Sequence, residues 1–163
     1  LTDEDGKLFP DNDERAIFFA KGVIETVKKL NWAPDIIHVH GWLAALLPLY
    51  LKQFYKDEPL FNESKIVTSV YNQSFENALN KDLINKVAFD NIDKEALKTL
   101  ENPTYNNLMK VAIDNSDALI IGSSEIPKEL ADYLKKTDKP VLDFKEKDEF
   151  AEAYTAFYNE SVL

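Results

Sequence analysis

The chain has 163 residues, a formal net charge of −10, 45% apolar and 12% aromatic residues, and no cysteine. This length and composition suit one domain with its own core, so disorder, disulfide scaffolding and thiolate chemistry are excluded. The acidic balance argues against binding nucleic acid or an anionic membrane through bulk electrostatics, and no apolar run reaches the ~18 residues that span a bilayer.

Residues 1–12 are polar and turn-like, with Gly6 and Pro10. The start resembles neither a signal peptide nor a natural start, since it has no initiator Met, so a processed chain or a piece of a longer one is expected, in the cytoplasm. A helix is predicted from Asn12 or Asp13, with Ala16, Phe19, Val23, Val27 and Leu30 on its apolar face and a Glu25–Lys29 pair on the polar side. Asp11, Asp13, Glu14 and Arg15 form a charged cluster at its start, which reads as capping plus a solvated face or as polar recognition at a crevice rim. Residues 35–40 are a short, β-branched run suited to a buried parallel strand. A helix over 41–55 follows, and Pro48 predicts a kink or a first-turn break in it. Residues 66–71 are the next strand, followed by short helices near 76–88 and 93–100 and a helix over 105–115 carrying Leu108, Val111 and Ala112 on one face. A strand over 117–121 precedes a helix capped by Ser123 or Ser124, with Pro127 in its first turn. Val141–Phe144 reads as a last strand and 147–159 as a last helix with an acidic, solvated face. Strands alternating with helices predict an α/β fold: a single Rossmann-like domain with a parallel sheet and helices on both faces.

In such a sheet, ligands bind beyond the carboxyl ends of the strands. His40 stands at such an end, and Gly41 lets the chain turn tightly into the next helix. A histidine beside free helix N–H groups can hydrogen-bond a polar ligand, or it can satisfy a buried loop. His38, two residues earlier, shares its face and lies deeper, as a structural residue would. Trp42 either stacks on a sugar ring or anchors the helix to the core. No third ligand accompanies the two histidines, so no metal is predicted. The four glycines, Gly6, Gly22, Gly41 and Gly122, form neither a G-x-G-x-x-G nor a P-loop pattern, and no glycine-rich phosphate cradle or bound cofactor is expected.

Several runs together carry a family resemblance. They are Asp11-Asn12-Asp13-Glu14-Arg15, Phe18-Phe19, and Trp32-x-Pro34-Asp35-Ile36-Ile37-His38-Val39-His40-Gly41-Trp42-x-Ala44-Ala45-Leu46-x-Pro48-Leu49-Tyr50-Leu51-Lys52. A weaker match continues through Lys65–Asn72, Asn107–Lys110 and Ser116–Ser123. Over residues 11–135 the chain resembles the bacterial glycogen and plant starch synthases, retaining glycosyltransferases of family 5 with the two-domain GT-B fold. The resemblance implies part of the N-terminal half of such an enzyme, with ADP-glucose as donor and an α-1,4-glucan as acceptor. It implies His40 as the catalytic-site histidine that hydrogen-bonds the donor glucose, Asp11 with Arg15 on the donor side of the cleft, and Gly41, Trp42 and Asn72 as further substrate-binding positions. Two positions depart from the family: its aspartate after the histidine is Gly41 here, and the histidine of its Thr-Ile-His-Asn strand end is Tyr71. The family's phosphate-holding Lys-x-Gly-Gly-Leu loop and its second domain have no counterpart in these residues. The chain alone is therefore expected to be inactive, with the donor site supplied by a second domain or a partner chain. The other expectation is a non-catalytic glucan-binding or regulatory module.

Overall fold

The computed structural model describes residues 1–163. Four parallel strands form one sheet in the order β1 (Ile36–His40), β2 (Lys65–Val70), β3 (Ala118–Ile121) and β4 (Val141–Leu142). The register sets His38 beside Val67 and His40 beside Ser69, and Val70 beside Ile121. Strand order follows chain order, and right-handed crossovers then place the connecting helices on one face. That face carries α1 (Asn12–Lys29), α2 (Leu47–Gln53), α4 (Tyr105–Asp114) and α5 (Lys128–Leu134), with α3 (Leu83–Ala88) beside α1. The opposite face is covered by α6 (Phe150–Phe157) and the π-helical turn Tyr158–Val162 alone. The two layers are unequal: the large core runs from α1 to α5, whereas Val67, Ala118, Ile120 and Phe157 make the small one. No helix is long and apolar enough to cross a membrane.

β2 and β3 follow the sequence expectation as strands buried on both faces, whereas β1, expected to be buried, forms at its place as an edge strand in which only Val39 is buried and His40 is exposed. At Pro48 the predicted break is complete: Trp42–Ala44 is a 3₁₀ turn, and α2 starts afresh with the proline in its first turn, where its missing N–H is harmless. Helix α4 is capped by Thr104, whose side chain accepts from the Asn107 N–H.

Several expectations are corrected. Helix α1 buries Asp13, Ala16, Ala20 and Ile24; Phe19 and Val23 lie outside the core, and Leu30 is 68% exposed. Two apolar stripes overlap on this helix, and the one with alanines wins because it packs closely against α2 and the Trp42–Ala44 turn. Glu25 pairs with Lys28 at 3.4 Å instead of Lys29, and Lys28 also reaches Glu58 at 2.9 Å. Neither Ser123 nor Ser124 caps α5, which begins after Pro127. β4 stops at Leu142, α3 starts only at Leu83, and α6 starts at Phe150.

The acidic cluster at the start of α1 is only partly solvated. Asp13 is fully buried, its Oδ2 lies 2.6 Å from Nζ of Lys86 on α3, and its Oδ1 has no partner. Hydrogen bonds to Asp13 and Glu14 hold the Lys86 ammonium well above the usual lysine range. This pair ties α3 to the first turn of α1 across 73 residues of sequence.

Candidate functional site

The side chains that point to the α6 side of the sheet end, at its carboxyl edge, in a row made by His40, Tyr71 and Gly122. His40 Nδ1 and the Tyr71 hydroxyl are 2.7 Å apart, with ring centroids at 6.1 Å. The Tyr71 ring occupies the space that Gly122 leaves open. A Cβ on residue 122 would meet Cδ1 and Cζ of Tyr71 at 2.8 Å, far inside contact distance. From below, the Tyr105 hydroxyl donates to the Tyr71 carbonyl. The Asn72 N–H donates to Ser123 Oγ at 3.2 Å, joining the ends of β2 and β3, and the Asn72 side chain stays exposed.

His38 lies one step deeper, its ring 3.9 Å from that of His40. Both of its nitrogens are taken: Nε2 lies 2.7 Å from Ser69 Oγ, and Nδ1 lies 2.6 Å from the Tyr158 hydroxyl. Burial, with the neighbouring His40 second, pushes the His38 pKa down to about 4. Burial lowers that of His40 as well. Both imidazoles are therefore neutral near pH 7. The exposed His40 can exchange hydrogen bonds with a ligand, whereas His38 is a structural residue, in keeping with its depth in the strand.

Gly41 has φ 72° and ψ 171°, a region essentially reserved for glycine. Its backbone also closes on Gln73, whose Oε1 would lie 2.8 Å from an added Cβ. From there a cavity of about 520 Å³ opens, lined by Trp42, Gln73, Phe75 and Glu76 and, on its far side, Leu1 and Lys7. Trp42 borders this cavity but is only 8% exposed and packs edge-to-face on Phe75 at 5.2 Å. Trp42 thus packs as a core anchor does, and it also lines the cavity. Asp11 and Arg15 form an exposed ion pair at 3.0 Å, with the guanidinium 5.0 Å above the Phe9 ring. They make no hydrogen bond to His40, Tyr71 or Asn72. The structure thus sets His40, Gly41 and Asn72 at one edge of the sheet, joined through Tyr71, while Asp11 and Arg15 bond to each other. No three His, Asp or Glu side chains converge to hold a metal ion, and no lysine or arginine hydrogen-bonds to the His40–Tyr71–Asn72–Ser123 group.

Residues 2–138 match the family model of the starch synthase catalytic domain. The chain belongs to that family. It is 35% identical over 108 residues to the glycogen synthase of Chlorobium luteolum, covering 66% of this chain and 22% of that protein. With the glycogen synthase of Geotalea uraniireducens it shares 30% identity over 122 residues, 75% of this chain and 25% of the relative. A shorter stretch of 61 residues, 37% of this chain, is 51% identical to 12% of the glycogen synthase of Chlorobium limicola. The fold resembles the catalytic domain of starch synthase IV from Arabidopsis thaliana, solved bound to ADP and acarbose, with a TM-score of 0.65 and 18% identity over 88% of this chain and 32% of that one. This member of the starch synthase family therefore spans about a quarter of the length of the curated relatives it matches.

Within this starch synthase domain, sequence reasoning did not find Tyr71, Gly122, Ser123 or Tyr158 as parts of the site. Tyr71 was visible only as a departure from the family pattern. Gly122 stands directly after a strand, where a glycine often marks a close approach. The i,i+4 spacing of Tyr154 and Tyr158 marks one face of α6, but nothing in a sequence says that this face meets the histidines.

Proposed function

We propose that this region is the sugar-contacting, N-terminal part of a retaining glucosyltransferase of the glycogen and starch synthase type, with ADP-glucose as donor and an α-1,4-glucan as acceptor. The observation that carries the reading is His40: a neutral imidazole at the carboxyl edge of the sheet, held through Nδ1 and exposed beside the tight turn at Gly41. A neutral ring is suited to hydrogen-bonding a sugar hydroxyl, which carries no charge for an imidazolium to match. The relatives named glycogen synthases, and the fold neighbour bound to ADP and acarbose, support the same substrates.

On its own the chain transfers no glucose. Departure of a diphosphate needs cations or N–H donors aimed at the developing charge, each worth roughly 3 kcal/mol in related anion-stabilising sites. The side chains around His40 supply a phenol, an amide and a hydroxyl, and no cation bonded among them. In this reading the donor groups come from a second domain or a partner chain. Maltohexaose titration and a radiolabelled transfer assay with ADP-glucose test both statements. The expected result is weak sugar binding, lost in His40→Ala, without elongation. Glucan elongation by the chain alone overturns the reading.

A second reading, a non-catalytic glucan-binding module, draws on Gly41 and Tyr71. Both departures from the family pattern are built into the packing: Gly41 through a glycine-only backbone, Tyr71 through the space at Gly122. The same transfer assay on the longest natural form of the protein separates the two, since the module binds glucan and never elongates it.

A further inference from the structure

We propose that Tyr71 is a positioning residue that fixes the proton of His40 on Nε2, making this edge of the sheet a hydrogen-bond donor site for a ligand oxygen such as a sugar hydroxyl or glycosidic oxygen. The ligand half of this inference rests on the functional reading above; the proton placement does not.

Tyr71 is held on three sides. Its backbone continues β2 past the Val70–Ile121 pair, and its carbonyl accepts from the Tyr105 hydroxyl. Its ring lies where any side chain larger than hydrogen at position 122 would overlap it. The phenol is thereby delivered to His40 Nδ1 at 2.7 Å and makes no other hydrogen bond. A phenol O–H is a better donor than a neutral imidazole N–H, so the favoured pairing has Tyr71 donating and Nδ1 accepting. In a neutral imidazole, an accepting Nδ1 leaves the proton on Nε2.

The second histidine makes this choice matter. His38 lies 3.9 Å away with both nitrogens occupied, so a charge on His40 would have a like-charged or desolvated neighbour and no carboxylate to offset it. His40 therefore acts as a neutral ring, and a neutral ring is either a donor or an acceptor at its free nitrogen. Without Tyr71 both tautomers are open to it, and part of the population would present a lone pair to the lone pair of a ligand oxygen. The Tyr71–Gly122 pair thus acts as a unit: the glycine makes room, and the tyrosine aims the imidazole.

The test uses the 163-residue chain with nitrogen-15-labelled histidine. NMR of the parent is expected to show His40 protonated at Nε2 only, and Tyr71→Phe, which keeps the ring and its packing, to show a tautomer mixture. Gly122→Ala, which displaces the ring but keeps the phenol, should give the same mixture. Maltohexaose binding should weaken in Tyr71→Phe by the inverse of the fraction that keeps its proton on Nε2, about twofold for an even mixture. A parent His40 protonated at Nδ1, or an unchanged tautomer in Tyr71→Phe, overturns the positioning role. If His40→Ala binds maltohexaose as tightly as the parent, the functional reading and the ligand half fall together, and the tautomer comparison still decides whether Tyr71 sets the imidazole.

Discussion

Replacing Lys86 with methionine removes the partner of a fully buried carboxylate while keeping most of the aliphatic stem. Asp13 has 0% side-chain exposure and meets Lys86 at 2.6 Å through Oδ2; its Oδ1 is already without a partner. In Lys86→Met neither oxygen has a hydrogen-bond donor. Breaking a buried pair by removing one partner costs about 3–5 kcal/mol, mostly the penalty of the stranded charge. Lys86 is itself 26% exposed, so water can reach part of the vacated space and the lower end, about 3 kcal/mol, is expected. For a chain of this size that corresponds to a fall of roughly 6–12 °C in Tm. Glu14, the other partner of Lys86 at 2.7 Å, is 64% exposed, and Glu14→Gln should change stability by less than about 0.5 kcal/mol. Urea unfolding followed by circular dichroism measures both, with an unchanged slope confirming that only stability moved. The double variant Asp13→Asn, Lys86→Met should regain part of the loss, since no charge is left buried. A Lys86→Met chain within about 1 kcal/mol of the parent, or a double variant no better than the single, refutes the reasoning.

The His38 pKa is lowered from 6.5 to about 4 in the folded chain, so the unfolded chain binds the extra proton between those values. Stability is therefore full above pH 6.5 and falls by up to about 3 kcal/mol as pH drops to 4; pH-dependent urea midpoints of parent and His38→Gln should differ in slope across that window. Trp42→Ala should destabilise the chain by about 3–5 kcal/mol, as loss of a buried aromatic does, whereas Trp42→Phe should fold and keep sugar affinity, checked by titration. Gly41→Asp, which restores the family residue, forces a non-glycine side chain into φ 72°, ψ 171° and should destabilise by roughly 1–3 kcal/mol in thermal unfolding. An unchanged Tm would mean that the turn relaxes freely into another conformation.

The sheet was legible because β1, β2 and β3 are short β-branched runs that admit one structural reading. The break at Pro48 was legible for a similar reason, since proline's missing N–H allows few solutions. Helix α1 was misread in its facing: Phe19, Val23 and Leu30 form as good a periodic stripe as Ala16, Ala20 and Ile24, and only the close approach of α2 decides between them. Asp13 looks like a solvated capping residue because its partner Lys86 is remote in sequence. At the site, His40 and Gly41 announced themselves by local pattern. The contribution of Tyr71 depends on the parallel register that sets β2 between β1 and β3, and on a glycine 51 residues further on whose only signal is a missing side chain.

The unequal covering of the two sheet faces has a kinetic consequence. Helix α6 is held chiefly by Phe157, with Tyr154, Tyr158 and Val162 at its margins. The core beneath it has 4 buried residues against 30 in the larger one, so much less apolar surface holds this segment than holds the rest of the fold. The segment from Phe150 onward therefore undocks at a free energy well below global unfolding, as a separate cooperative unit. Its amides should exchange with solvent deuterium long before those of β1–β3. Each opening bares Val67, Ala118 and Ile120 and parts Tyr158 from His38. Water then reaches the inner imidazole, so the open form takes up a proton that the closed form refuses, and mild acid should lower the protection factors of α6, once the slower intrinsic exchange at low pH is divided out, while the strands stay the better protected.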